Sequence, residues 1–269
     1  MAALGQSAAP PRKLRALVAE SVQNEVKAAE DENTLVTYKL RKDSTSGVAL
    51  RVILETKEGI LARTIGWNGR TLTAEEQAKE DARLQRLVSD ADERQKKFRD
   101  QRAEEDRVIR MLRALPDGLL YTDDGVETIR GRNTIRLAFR PNPDFDPPTR
   151  DTSVLKAAVG KLWIDEKAHR VVKLDGTLND DVYIGWGLLG HIHPGGHVLL
   201  EQQVVDGGVW RITTLNLDAT GSALIFKTLN IKQHQSSFEF RLVRSMDTSE
   251  AVKFLLQQSD GGEVKAAGK

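Results

Sequence analysis

Alternation of apolar and polar positions marks the first strands of the chain. Val36, Tyr38 and Leu40 alternate with Thr37, Lys39 and Arg41, and Val48, Leu50, Val52 and Leu54 alternate with Ala49, Arg51, Ile53 and Glu55. A period of two predicts strands with one face covered and the other wet. Ile60 to Trp67 continues the pattern and ends at Asn68-Gly69, a pair that supplies the positive φ of a tight hairpin. Ahead of them, Leu14, Leu17, Val18, Val22 and Val26 recur at helical spacing from Pro11 to about Ala29. A helix with one apolar stripe must lie on something, and the strands that follow offer the surface.

The regime changes at Thr73, where Thr73-x-x-Glu76 has the form of a capping box. Between Glu75 and Arg113 charged residues outnumber all others, with both signs interleaved at helical spacing. That predicts a solvated helical insertion, residues 73–115, bent around Asp90 to Phe98. Its apolar residues gather at the ends: Ala78, Ala82, Leu84, Leu87 and Val88 at one, Val108, Ile109, Leu112 and Leu115 at the other. Two helices docking by their outer turns fit this pattern.

Strand patterns resume at Leu119 to Asp123, Val126 to Gly131 and Thr134 to Arg140, before the proline-rich segment from Pro141 to Pro148, a stiff surface loop. From Gly160 to Leu242 short apolar runs follow one another: Lys161 to Asp165, Arg170 to Asp175, Tyr183 to Leu189, His197 to Val205, Val209 to Leu217 and Leu224 to Lys232. Asp206-Gly207-Gly208 and Thr220-Gly221 read as turns. Connections this short leave no room for crossover helices, so the sheet is expected to be antiparallel and the fold class α+β, mainly antiparallel β. A short docking helix from Ser249 to Gln258 closes the pattern. Residues 11–258 read as a single domain, with a disordered start (1–10) and tail (259–269).

Composition changes this picture little. In 269 residues Lys+Arg (40) and Asp+Glu (39) nearly cancel, which gives no general argument for nucleic acid or an anionic membrane as partner. The charged insertion mixes acids too evenly with bases for a nucleic-acid patch. There is no cysteine, so disulfides, zinc-cysteine sites and thiol nucleophiles are excluded. No apolar run reaches the ~18 residues of a membrane span. Ala3-Leu4-Gly5 before Gln6 has small residues where a signal peptidase reads, consistent with the remnant of an export signal.

The sharpest chemical candidate is His191-Ile-His193-Pro-Gly-Gly-His197, because H-x-H-x3-H can set three imidazoles around a metal. Counted from Gly185 it resembles the first cupin motif, with His197 where that motif has its acid. No second cupin motif follows, and Pro194-Gly195-Gly196 reads as a turn that leaves the imidazoles flanking a hairpin tip. The expectation is therefore no metal and no cofactor. Asp123-Asp124 and Asp180-Asp181 read as turn residues. No P-loop, dinucleotide fingerprint, G-x-S-x-G or H-E-x-x-H is present. On a strongly curved sheet some aromatic and aliphatic strand residues would line an apolar cavity, for which Tyr38, Leu40, Leu50, Val52, Leu137, Phe139, Trp163, Trp186 and Phe226 are the candidates.

The order helix, strands, helical insertion and meander, with Gly160-Lys-Leu-Trp-Ile-Asp165 and Val171-Val-Lys-Leu-Asp-Gly176, resembles the LolA/LolB-like family of lipoprotein-sorting and periplasmic lipid-carrier proteins. Arg140-Pro-Asn-Pro143, Gly185-Trp-Gly187 and Leu224-Ile-Phe-Lys227 resemble an uncharacterised bacterial branch of that superfamily. The resemblance implies an unclosed half β-barrel with its helices over the concave face. It also implies a non-enzymatic, monomeric, periplasmic or secreted protein that binds lipid or lipoprotein acyl chains, with an envelope protein as partner. The charged insertion departs from the family, and no motif chooses among Arg41, Arg51 and Arg63 as an acyl-contacting arginine. Two alternatives stand beside this reading: a metal-dependent cupin-like enzyme at His191, His193 and His197, and an interaction module built on the charged helices of residues 75–113.

Overall fold

The computed structural model describes residues 11–258 except 32, 185–189 and 224–226. The export-like tripeptide, both expected disordered ends, Trp186 and Phe226 lie outside the described residues. Two compact units emerge. The first holds residues up to Glu30 together with Asp106–Gln203 and Leu215–Lys232, and the second holds Asp31–Glu105, Val204–Thr214 and the chain from Gln233.

In the second unit β1 (Leu35–Ser44), β2 (Gly47–Thr56) and β3 (Gly59–Trp67) form consecutive antiparallel hairpins, with the short β4 (Arg70–Thr71) at the edge. Asn68 (φ 50°) and Gly69 (φ 80°) adopt the left-handed conformation that their dipeptide favours. The β1–β2 register places Leu50, Val52 and Leu54 on one face, and Tyr38, Leu40 and Ile53 on the other. Helix α2 (Ala74–Ser89) starts at the expected capping box. Thr73 Oγ1 accepts from Glu76 N at 3.3 Å and Glu76 Oε2 accepts from Thr73 N at 2.8 Å.

Two further helices complete this unit's packing. The chain bends at Asp90 into α3 (Ala91–Gly118), and α4 (Thr248–Leu256) closes the structure. Val52, Leu54, Leu61 and Ile65 from the strands form one core with Leu84, Leu87, Phe98, Ala251, Val252 and Leu255 from the helices. Phe98 was not expected inside, since it lies mid-helix among charges. It docks on the β2–β3 hairpin because Gly59 (φ 145°) leaves room; a Cβ there would come within 2.7 Å of the Phe98 ring. Lys97 Nζ and Gln101 Nε2 donate to the Ile60 carbonyl at 2.6 and 2.8 Å on either side of it.

In the first unit α1 (Pro11–Ala29) carries Leu14, Val18, Val22 and Val26 on its buried stripe. These side chains pack with Ala114 and Leu115 of α3 against β5 (Leu119–Ile129), β6 (Arg132–Pro141), β7 (Ala158–Asp165) and β8 (Val171–Leu178). The remaining strands are β9 (Val182–Ile184), β10 (Gly190–Ile192), β11 (His197–Val204), β12 (Trp210–Ala223) and β13 (Lys227–Val243). Within this unit β11-β8-β7-β6-β5 is the antiparallel order, and β10 pairs with β9 and β12. In the second unit β13 pairs with β1. Among the described residues β5 is an end strand in the first unit and β4 an end strand in the second. The expected α+β fold with an unclosed antiparallel sheet is present.

Two expected turns lie inside strands, Asp123-Asp124 within β5 being the first. Thr220-Gly221 lies inside β12, with Gly221 opposite Ile192 of β10. A Cβ on Gly221 would collide with the His191 carbonyl, so this glycine serves close strand approach and not reversal of the chain.

Candidate functional site

The first unit aligns four leucines across four strands. Leu137 of β6 pairs with Leu162 of β7, Leu162 with Leu174 of β8, and Leu174 with Leu200 of β11. Because strand side chains alternate, residues paired in register share one face. Leu137 and Leu162 are buried beneath the helices, whereas Leu174 and Leu200 are only partly covered. The row thus runs from a closed core to accessible apolar surface.

Phe139 extends the floor of this face. Its ring lies over Gly160 and Gly176, where a Cβ would come within 2.8 and 3.4 Å of its tip. The absence of side chains on both glycines is what lets the ring lie across two strands.

Helix α1 covers the buried end of the row and is tied along one side by polar groups. Glu25 receives Arg170 Nε and Nη2, each at 2.8 Å, together with the Val171 amide at 2.8 Å and Gln202 Nε2 at 3.1 Å. Asn24 Nδ2 donates to the His169 carbonyl at 3.2 Å, and His169 Nδ1 lies 2.8 Å from Glu20. Arg15 pairs with Asp117, and Glu30 with Arg113 at 3.7 Å. The Glu25–Arg170 pair is nearly buried, with side-chain exposures of 10% and 13%, so its geometry is tightly constrained.

Sequence reasoning gathered the cavity candidates as one set, and the structure distributes them. Leu137 and Phe139 belong to the row and its floor. Trp163 occupies the opposite face of β7, donating from Nε1 to Glu127 Oε2 at 2.8 Å with Lys173 Nζ 4.8 Å from its ring. In the second unit Leu50 and Val52 pack under the helices, while Tyr38 and Leu40 lie on the other face, where Tyr38 stacks on Phe240 at 4.9 Å. Burial pushes the Tyr38 phenol well above its ordinary pKa. Arg63 is occupied by structure: its Nη1 donates to the carbonyls of Leu255, Leu256 and Gln258, and its Nη2 pairs with Asp81. A cavity of about 130 Å³ adjoins it, lined by Arg63, Ile65, Leu72, Gln77 and Leu256, too small for an acyl chain.

The three histidines do not converge. His197 Nε2 lies 2.9 Å from Asp175, whereas His191 and His193 gather at Asp181, their donor atoms all within 4.8 Å of one another. Asp181 escaped sequence reasoning because the Asp180-Asp181 pair looked like turn residues. Asp180 fills that role, its Oδ1 accepting from the Asp181 amide at 2.8 Å, and the Asp181 carboxylate turns inward. Glu25 also escaped, as one acid among many on an amphipathic helix.

Solved structures resemble the chain at low similarity. A domain described as an outer membrane lipoprotein-sorting protein from Vibrio parahaemolyticus is 10% identical, covering 90% of this chain and 100% of its own, with a TM-score of 0.33. A DUF1329 family protein from Desulfovibrio piger is 11% identical over 89% of this chain and 96% of its own (TM-score 0.32). A LolA superfamily protein from Nitrosomonas europaea is 10% identical over 85% and 94% (TM-score 0.30). No family model and no curated protein sequence matches the chain. Among the described residues no helix is long and apolar enough to cross a membrane.

Proposed function

We propose that the chain is a non-enzymatic, periplasmic or secreted binding protein that holds an apolar ligand, a lipid or the acyl chains of a lipoprotein, against the leucine row. Helix α1 serves as its lid. The observation that carries this reading is the graded row itself: Leu137 and Leu162 are buried, and Leu174 and Leu200, in register with them, are left partly open. Covering such surface contributes roughly 25 cal/mol for each Å² removed from water. An acyl chain lying along Leu200 and Leu174 gains this term, and it reaches the inner leucines when α1 moves aside.

The polar ties of α1 suit a lid. They fix one edge of the helix to residues 169–171 and to Gln202, all through side chains of α1, so breaking them releases an intact amphipathic helix without unravelling a strand. Ligand then favours the open arrangement by as much as its differential affinity for it. The resemblance of the sequence motifs to lipid carriers supports an envelope location and an envelope protein as donor or acceptor of the cargo.

Native mass spectrometry and solvent extraction of the purified protein test the proposal. Co-purifying lipid, or stoichiometric uptake of a fatty acid that Leu200→Lys weakens at least tenfold, is the expected result. A chain that neither carries nor takes up any lipid would overturn it.

A further inference from the structure

We propose that Asp181, His191 and His193 form a binding site for a divalent first-row transition cation of the Zn2+ type. Asp181 immediately precedes β9, His191 lies on β10, and His193 follows it. Pairing of Ile192 with Val182 and of His191 with Tyr183 brings the three together. Asp181 Oδ1 lies 3.4 Å from His193 Nδ1 and 4.0 Å from His191 Nε2. Donors bound tetrahedrally to one zinc at about 2.0–2.2 Å lie roughly 3.3 Å apart, so the observed separations, all within 4.8 Å, close by at most about 1.5 Å on binding.

Two observations point to a ligand. First, Asp181 Oδ1 is shielded from solvent and has no hydrogen-bond partner among the described residues, with His193 Nδ1 3.4 Å away. A buried, unsatisfied carboxylate oxygen is costly, and a cation between it and the imidazoles removes that cost. Second, the His191 ring is oriented from behind, with Nδ1 2.8 Å from Ser222 Oγ on β12. In the tautomer whose Nδ1 proton goes to Ser222, Nε2 is the atom that faces Asp181, and such an outer hydrogen bond is typical of metal-binding histidines.

The donor set decides the class of ion. Two imidazoles and one carboxylate suit Zn2+, Ni2+, Co2+ or Cu2+, whereas Mg2+ and Ca2+ require mostly oxygen. Side-chain exposures of 29%, 46% and 33% for His191, His193 and Asp181 leave the group reachable from solvent. The site clips β10 to the residue just before β9, and three protein ligands leave at least one position for water or an anion. It shares no residue with the leucine row, so it stands or falls independently of the lipid reading.

The test is titration of the full-length, tag-free chain, dialysed against chelator, with Zn2+ by calorimetry and with Co2+ by visible absorption. One ion per chain is expected. His193→Ala and Asp181→Asn should each weaken binding by about 100-fold, and Ser222→Ala by about tenfold. His197→Ala should leave affinity unchanged, and Mg2+ should not compete. Circular dichroism checks each variant's fold, and if Asp181→Asn does not fold, the exposed His193→Ala decides alone. Absence of Zn2+ and Co2+ binding, binding untouched by His193→Ala, or an equal loss in His197→Ala would overturn the site.

Discussion

Glu25 of α1 holds Arg170 by both carboxylate oxygens, at 2.8 Å to Nε and 2.8 Å to Nη2. The same carboxylate accepts the Val171 amide and Gln202, so a single side chain joins the helix to the start of β8 and to β11.

Removing one partner of a buried, hydrogen-bonded ion pair leaves the other uncompensated. Glu25→Ala should therefore destabilise the protein by about 3 kcal/mol, and the double variant with Arg170→Ala should lose less than the sum of the single losses. Urea unfolding measures both. Hydrogen exchange in α1 should rise in Glu25→Ala more than in β6 or β7.

The leucine row separates stability from binding. Leu137, with 0% exposure, is a core residue, and Leu137→Ala should cost about 2–5 kcal/mol. Leu200→Lys should change stability by less than about 1 kcal/mol, because its partly exposed position lets the ammonium reach water. Fatty-acid binding should fall in Leu200→Lys while its melting temperature stays close to that of the parent. Equal loss of stability in both variants would show that the outer leucines are closed core.

Lys97 gives the second unit an alkaline signature. Burial, reinforced by the nearby Arg83 charge, lowers its pKa from 10.5 to about 8. Between these values the unfolded chain binds more protons than the folded one, so this group makes stability rise with pH from about 8 toward 10.5. Lys97→Met should flatten that rise in melts taken across the window.

Asp165 gives the first unit an acid signature. Its burial alone would raise the pKa. The hydrogen bond from Arg132 at 2.6 Å, with the Ala168 and Lys167 amides, outweighs burial and holds it below the ordinary value of 3.8. A depressed carboxylate stabilises the fold above its unfolded pKa, and that contribution disappears as pH falls through the folded value. Asp165→Asn should be less stable than the parent at pH 7, and the difference should narrow below pH 3.8. Parallel curves for the two proteins throughout acid would contradict this.

Local chemistry made much of the architecture legible in advance. The four-residue spacing of Leu14, Val18, Val22 and Val26 specified α1 and its buried face, Thr73 and Glu76 specified the start of α2, and Asn68-Gly69 specified a hairpin. Each signal depends on residues within one or two turns of each other, so the sequence alone carries it. Antiparallel topology followed from short connections.

Tertiary structure decided what could not be local. Leu137, Leu162, Leu174 and Leu200 become a row only when three strand registers are fixed, and a one-residue slip in any of them would turn a leucine to the other face. Phe98 enters a core because Gly59, far along the chain, leaves space for it. His197 leaves the candidate histidine triplet for Asp175, and Asp181 takes its place, because strand pairing sets which carboxylate each imidazole meets. Sequence spacing supplied the candidate donors; the pairing of β9 with β10 selected among them.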